Sequence, residues 1–145
     1  MFSKSCEYGI RALLYIATQS LEGKRVKVGE IAENSGCPEA FTAKLLGDLK
    51  KSEIVCSQTG PYGGFYIEIE EIKNIKLSQI VFAIDGDSVY NGCGLGLAQC
   101  DENNPCPMHH HFVEVRNELK KMLETTCLYD LATELKAGET VLVRK

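Results

Sequence analysis

No stretch of the 145-residue chain approaches the ~20 consecutive apolar residues that a membrane-spanning helix requires. The first residues, MFSKSCEYGIRALLYIA, mix charged side chains with apolar ones and lack a small-residue cleavage site, which argues against a signal peptide. Both absences predict a cytoplasmic protein without membrane contact. In that reducing compartment, the seven cysteines favour free thiols, a metal or a cluster over structural disulfides.

Signatures of catalysis are missing as well. The sequence contains no pairing of a nucleophile with a base, and no phosphate-binding glycine loop between a strand and a helix. We therefore do not expect an enzyme. The length fits one domain, or one small domain with an oligomerisation element.

A strong positive charge is also absent, since the formal net charge is −4. Residues 1–66 carry eight Lys or Arg against seven Asp or Glu, whereas residues 67–145 carry eight against thirteen. The acidic side chains are thus concentrated in the second half. The first half is left able to approach a polyanion such as DNA.

Three helices are predicted in the first half of the chain. Apolar residues at helical spacing predict a helix over residues 3–20, with Ser3 as its N-cap. A second helix is expected over about 28–34 and ends before Gly36, because glycine readily takes the left-handed conformation at a helix C-terminus. A third helix is expected over about 39–51, where a proline and an acidic residue suit its start.

A β-hairpin is predicted after the third helix. Strand-like runs at residues 54–56 and 65–69 flank a tip that is rich in Gly and Pro. Helices followed by a hairpin in this order are typical of a winged helix-turn-helix. The expected fold class is mainly α with a small β-hairpin, a winged helix-turn-helix followed by a long dimerisation helix.

The long helix is expected over about residues 109–124, after a short one near 77–84. It has an apolar side and a charged side, and a domain this small has little chain to cover the apolar side. A helix from a second subunit would cover it in a symmetric homodimer, whereas packing on its own domain is the alternative. The apolar side consists of Phe112, Val115, Leu119, Met122 and Leu123.

Three cysteines and a histidine lie close together in the segment GCGLGLAQCDENNPCPMHHHF. Its Gly, Asn, Asp and Pro residues disfavour helix and strand, so a bound group would be needed to fix the conformation of the segment. Cys93, Cys100, Cys106 and His109 are ligands that suit an iron–sulfur cluster. Zinc is less favoured, because cysteines in zinc sites usually pair at a spacing of two to four residues. Free thiols or a loop disulfide are the remaining alternative.

Four short motifs accompany this segment: YGIRAL at residues 8–13, EIA at 30–32, GPYGGF at 60–65 and TTCLYDL at 125–131. Their order and spacing resemble the Rrf2 family of bacterial winged-helix regulators, whose IscR-type and NsrR-type branches are iron–sulfur sensors. The resemblance covers nearly the whole chain. It implies a DNA-binding homodimer whose cluster state changes its affinity for operator DNA.

The resemblance leaves two candidates for the fourth ligand beside the three cysteines. His109 matches the position of the histidine ligand in IscR-type 2Fe–2S proteins. Glu7 aligns with the acidic position that supplies a carboxylate ligand in NsrR-like relatives, and it would reach the cluster from the partner subunit. A histidine ligand favours a 2Fe–2S cluster, and a 4Fe–4S cluster is the alternative.

The third helix is expected to enter the major groove of double-stranded operator DNA, and the tip of the hairpin, or wing, to approach the minor groove. Family members usually carry Arg just before the first wing glycine, where this chain has Thr59. Because Arg is the residue that exploits a narrow minor groove, the wing should bind more weakly or with a different preference. The residues expected at the DNA interface are Lys4, Glu39, Thr42, Ala43, Lys44, Lys50, Lys51, Ser57, Thr59 and Tyr62.

The combined interpretation is a transcriptional regulator that senses cluster status, nitric oxide or redox stress. Residues 1–85 would form the DNA-binding domain and 86–108 the cluster loop. Residues 109–145 would form the dimerisation helix and a segment that packs back on the DNA-binding domain. Two alternatives stay open: a redox regulator of the same fold that works by cysteine oxidation without a cluster, and an iron–sulfur electron-transfer or carrier protein without a DNA role.

Overall fold

The computed structural model describes residues 2–98 and 100–144. Helices surround one small antiparallel hairpin, which confirms the predicted fold class. The helices are α1 (Lys4–Ser20), α2 (Val28–Ser35), α3 (Glu39–Lys51), α4 (Ile69–Asn74), α5 (Leu77–Asp85), α6 (Ser88–Asn91), α7 (His109–Thr125) and α8 (Leu128–Lys136). The strands are β1 (Cys56–Gln58) and β2 (Gly64–Tyr66).

Helix α1 lies at the centre of the molecule and is capped as expected. The Oγ of Ser3 accepts a hydrogen bond from the N–H of Cys6 at 3.0 Å and donates one to Asp85 at 2.6 Å. Leu13 and Ile16 are fully buried, and both α5 and α8 pack against this helix. The C-terminal helix α8 therefore contacts the half of the chain that contains the helix-turn-helix.

Helices α2 and α3 form the helix-turn-helix, within a residue of the predicted bounds. The turn begins at Gly36, whose φ of 69° is left-handed, as a glycine there was expected to permit. After α3, Glu53 also takes a left-handed φ, 63°. This conformation costs a non-glycine residue roughly 1–2 kcal/mol, so a glycine at position 53 would remove that strain.

The hairpin pairs Cys56 with Tyr66, so β1 begins two residues later than predicted and β2 ends three residues earlier. The reason is burial in the core. Val55 is 1% exposed and Ile67 is 2% exposed, and the N–H of Ile67 donates to the Oγ of Ser20 rather than to the other strand. Apolar residues that look like strand in the sequence thus belong to the core beside the hairpin.

Helices α4 and α6 have no counterpart in the sequence-based predictions. They contain six and four residues, and the only fully buried side chain among them is Ile72. Hydrophobic periodicity therefore gives almost no signal for either helix. No helix in residues 2–98 and 100–144 has the length and apolar content needed to cross a membrane.

Helix α7 confirms the predicted long helix, but its apolar side is divided. Leu123 is fully buried in the core of its own chain, and Leu119 packs partly buried against the same core. Phe112 is partly covered by the cysteine loop, whereas Val115 and Met122 are 58% and 46% exposed. The prediction of Leu123 as a dimerisation residue is wrong, because this chain already covers it.

Candidate functional site

The outer face of α3 presents the side chains expected at a DNA groove. Glu39, Ala43 and Lys44 are exposed in its first half, and Lys50 and Lys51 are exposed at its end. A recognition helix reads base edges mainly with its N-terminal residues, while lysines nearby contact phosphates. The arrangement can therefore provide both kinds of contact.

Thr42 is an exception among the predicted DNA contacts. Its side chain is fully buried, and its Oγ1 donates a hydrogen bond to the carbonyl oxygen of Pro38 at 2.7 Å. The spacing of three, four and seven residues to Leu45, Leu46 and Leu49 places Thr42 on the core face of α3. The expectation that Thr42 faces DNA is therefore wrong.

The wing presents an exposed tip. Tyr62 is 91% exposed, Thr59 is exposed and Ser57 is partly buried. A Cβ on Gly63 would overlap the carbonyl oxygen of Gln58, so the tip can close tightly only with glycine there. The tip of the wing is thus a tight, exposed turn.

Two basic residues that the sequence analysis missed lie beside the wing. The Nζ of Lys27 donates to the carbonyl oxygen of Gly60 at 2.7 Å, and the guanidinium of Arg25 lies 4.9 Å from the centre of the Tyr66 ring. Both precede α2, and a β-bridge between Val26 and Phe65 brings them to the wing. The sequence signal is weak, because that bridge joins segments 39 residues apart in the chain.

Lys4 and Glu7 pair with each other in the first turn of α1. Their charged atoms are 3.1 Å apart, and the side chains are 77% and 42% exposed. The ion pair leaves Lys4 close to solvent, where a phosphate could reach it. The assignment of Glu7 as an alternative ligand stays a prediction.

In the cysteine loop, Cys93 and Cys106 lie together. The backbone N–H groups of Leu95 and Leu97 lower the pKa of the Cys93 thiol, and the neighbouring Cys106 side chain contributes to the same effect. The thiolate is the form of cysteine that binds metals and reacts with oxidants. Cys93, with Cys106 beside it, is therefore suited to metal binding or to oxidation.

Cys100 and His109 form a second pair, at the N-terminus of α7. The Sγ of Cys100 lies 3.3 Å from the Nδ1 of His109, and His109 is 7% exposed, whereas His110 and His111 are exposed. Arg116, two turns further along α7, donates to the same sulfur from Nη2 at 3.0 Å. The structure thus distinguishes His109 from the adjacent histidines.

Arg116 also fixes the start of the loop. Its Nη1 donates to the carbonyl oxygens of Tyr90 and Gly92, each at 3.0 Å. One guanidinium therefore joins α7 to the segment before Cys93 and to Cys100. An open groove of about 820 Å³, lined among others by Cys100 and His109, lies beside it.

The arrangement of these ligands differs from that of a single-ion site. Within residues 2–98 and 100–144, no three His, Cys, Asp or Glu side chains converge as the ligands of a single metal ion would. A structural zinc ion requires four ligands around one point. The loop instead has two pairs of soft or borderline ligands, and a 2Fe–2S cluster takes two protein ligands on each of its two irons.

Residues 2–134 match the family model Rrf2, described as an iron-dependent transcriptional regulator. The chain is 33% identical over 133 residues to a protein of Aquifex aeolicus described as an HTH-type transcriptional regulator, with 90% of each chain covered. It is 26% identical over 124 residues to the HTH-type transcriptional regulator IscR of Photorhabdus laumondii, with 86% of this chain and 74% of IscR covered.

Two solved structures share the fold. IscR of T. potens superposes with a TM-score of 0.74 at 20% identity, covering 97% of this chain and 92% of IscR. CymR, the global cysteine regulator of B. subtilis, gives a TM-score of 0.73 at 22% identity, covering 92% of this chain and 96% of CymR. At these identities, the likeness establishes a common backbone architecture.

Proposed function

This chain belongs to the Rrf2 family of transcriptional regulators, and from that membership we propose that it is a homodimeric regulator whose DNA affinity depends on an iron–sulfur cluster. Like its relatives, it is a DNA-binding regulator and not an enzyme. The observation that carries the cluster proposal is the presence of two ligand pairs, Cys93 with Cys106 and Cys100 with His109. Family membership removes the basis for an electron carrier without a DNA role.

The four residues Cys93, Cys100, Cys106 and His109 would hold the cluster. When bound, the group would supply a centre that exchanges electrons and reacts with oxidants or nitric oxide. Cys93 contributes a thiol whose pKa is lowered, and His109 contributes a buried imidazole. His109 supports the 2Fe–2S assignment, with 4Fe–4S as the alternative.

The cysteine loop is placed to influence the DNA-binding half. Its last proposed ligand, His109, is also the first residue of α7, and α7 packs on α5, which packs on α1. A change in the loop would therefore shift α7 relative to the helix-turn-helix. In this proposal residues 1–85 bind DNA, 86–108 sense the signal, and 109–145 dimerise and pack back through α8.

At the DNA, α3 would lie in the major groove with Glu39, Ala43 and Lys44 near the bases. Lysine ammonium groups would hold phosphates and so set the position of the protein without reading sequence. The wing, with Ser57, Thr59 and Tyr62, would approach the minor groove. The proposed phosphate contacts are Lys4, Lys50 and Lys51.

We expect the protein, kept free of oxygen, to enrich one duplex from a random DNA library, and removal of the cluster to change its affinity for that duplex about 5–150-fold. Fluorescence anisotropy at one fixed salt concentration measures the change, because such affinities depend on salt. A Cys100→Ala variant given the same treatment is the control and should not respond. Enrichment without any response would contradict cluster sensing, and no enrichment would contradict the DNA role.

The homodimer is supported by the exposed part of α7. Val115 and Met122 are both exposed and lie seven residues apart, so they share one stripe of α7. The stripe borders the buried face that contains Leu123. A second α7 would cover it in a symmetric pair.

Met122→Glu is expected to convert a dimer of 16.0 kDa chains into monomers, because the new carboxylate would lose water in the interface. Sedimentation velocity measures the mass. Asn117→Glu adds the same charge on the opposite, exposed side of α7 and should leave the dimer intact. Equal masses for both variants would show that the stripe is not the dimer interface.

The pair Cys93 and Cys106 supports a second candidate, a regulator of the same fold that works by cysteine oxidation without a cluster. The lowered pKa of Cys93 raises its reactivity towards oxidants. Cys106 lies beside it and could form a disulfide with it. This candidate predicts that an oxidant changes DNA affinity in protein that never contains iron. Mass spectrometry would then find a disulfide between these two residues.

A further inference from the structure

The wing carries no positive charge of its own. Residues 56–66, CSQTGPYGGFY, contain neither Lys nor Arg, and Thr59 occupies the position before the first wing glycine. Binding to the edges of a minor groove brings a protein between two rows of phosphates. A wing without positive charge would gain little electrostatic attraction from these phosphates.

Lys27 brings a cation to the same place from a different part of the chain. Its Nζ donates to the carbonyl oxygen of Gly60 at 2.7 Å, at the tip of the wing, and its side chain is exposed. An ammonium has three N–H donors, so two are left to bind an anion. In the described residues, carboxylates pair with Lys4, Lys24 and Lys136, and Lys27 is not among them.

The backbone fixes this position. Val26 and Phe65 exchange two hydrogen bonds, from the N–H of Val26 at 3.1 Å and from the N–H of Phe65 at 2.7 Å. Gly64 permits the approach, because a Cβ there would lie 2.6 Å from the carbonyl oxygen of Val26. The backbone of Lys27 therefore lies next to the wing whenever the β-bridge between Val26 and Phe65 is formed.

We infer that Lys27 is the phosphate-binding residue of the wing and takes the place of a basic residue at position 59. The inference rests on the proposed DNA-binding function. A lysine ammonium is a point charge that binds phosphate well and distinguishes bases poorly, unlike the planar guanidinium of arginine. Lys27 thus adds affinity at the wing with little sequence preference.

Lys27→Gln is expected to weaken binding of the homodimer roughly 60-fold at 0.1 M salt and to reduce the slope of log affinity against log salt by about two, because each of the two protomers loses one phosphate contact. The loss should be equal for a duplex selected from a random library and for an unrelated duplex of the same length. Anisotropy titrations at several salt concentrations measure both quantities. Lys24→Gln is the matched control, since it removes the same charge from a lysine paired with Glu22 at 3.1 Å.

Two further variants make the result specific. Lys27→Arg should keep the slope, and Thr59→Arg in the Lys27→Gln background should restore it, because the charge returns to the wing. If Lys27→Gln and Lys24→Gln have the same affinity and the same salt slope while the wild type binds both duplexes, the assignment of Lys27 is overturned. The DNA function then stands. A wild type that binds no duplex overturns the DNA function, and the assignment of Lys27 with it.

Discussion

Protein purified without oxygen is expected to be brown and to contain about two irons and two sulfides per chain, the content of a 2Fe–2S cluster. Alanine at Cys93, Cys100 or Cys106 should abolish the visible absorbance, because each replacement removes one of the two ligands in a pair. We expect the loss of absorbance to be complete in each of the three variants. Visible spectroscopy together with iron and sulfide analysis measures it.

His109→Ala and Glu7→Ala distinguish the two candidates for the fourth ligand. His109 is 7% exposed and lies 3.3 Å from Cys100, so its loss should change the Mössbauer spectrum and accelerate cluster decay. Glu7 is partly exposed and paired with Lys4, and its replacement is expected to leave the spectrum unchanged. The opposite result would identify the carboxylate as the ligand.

Cys56→Ser is the matched control for the cysteine variants, because Cys56 lies in β1, outside the loop. It should keep the full iron content. About four irons per chain would indicate a 4Fe–4S cluster. A colourless wild type after reconstitution with iron and sulfide would contradict the cluster proposal and favour regulation by cysteine oxidation.

Much of the backbone could be predicted from the sequence because the long helices carry apolar residues at strong helical spacing. The bounds of α1, α3, α5 and α7 agree with prediction within one or two residues. The hairpin was displaced because Val55 and Ile67, which look like strand residues, are buried in the core. Local pattern cannot distinguish a short strand from a buried connection.

The side chains of the candidate site were harder to predict. The burial of Thr42 could have been found, because it shares the helical spacing of Leu45 and Leu49. The burial of Leu123 could not, since it depends on which elements of the same chain pack against α7. The contact between Lys27 and Gly60 depends on a bridge between distant segments, and no local rule reports it.

Family membership and the loop geometry support different parts of the function. The family establishes a DNA-binding regulator, whereas the sensing chemistry depends on how this chain arranges its own thiols. Arg116 matters most here, because it is bonded at once to Cys100 and to the start of the loop. The coupling between loop and helix α7 can therefore be tested at one residue.

Arg116→Ala is expected to accelerate loss of iron to a chelator about 10–100-fold, the usual effect of removing a residue that positions metal ligands. The replacement leaves the carbonyl oxygens of Tyr90 and Gly92 without their donor and frees the sulfur of Cys100. Absorbance during chelator challenge measures the rate. In protein without iron, hydrogen exchange across residues 93–108 should also become faster.

Lys121→Ala is the matched control, because Lys121 is an exposed cation on the same helix, α7. This variant should change neither the rate of iron loss nor the rate of hydrogen exchange. Arg116→Lys keeps the charge but cannot present two nitrogens to three acceptors in a planar fork, so an intermediate rate is expected. If Arg116→Ala and Lys121→Ala lose iron at the same rate and exchange alike, Arg116 does not organise the loop, and coupling between the cysteines and α7 must pass through the backbone at His109 alone.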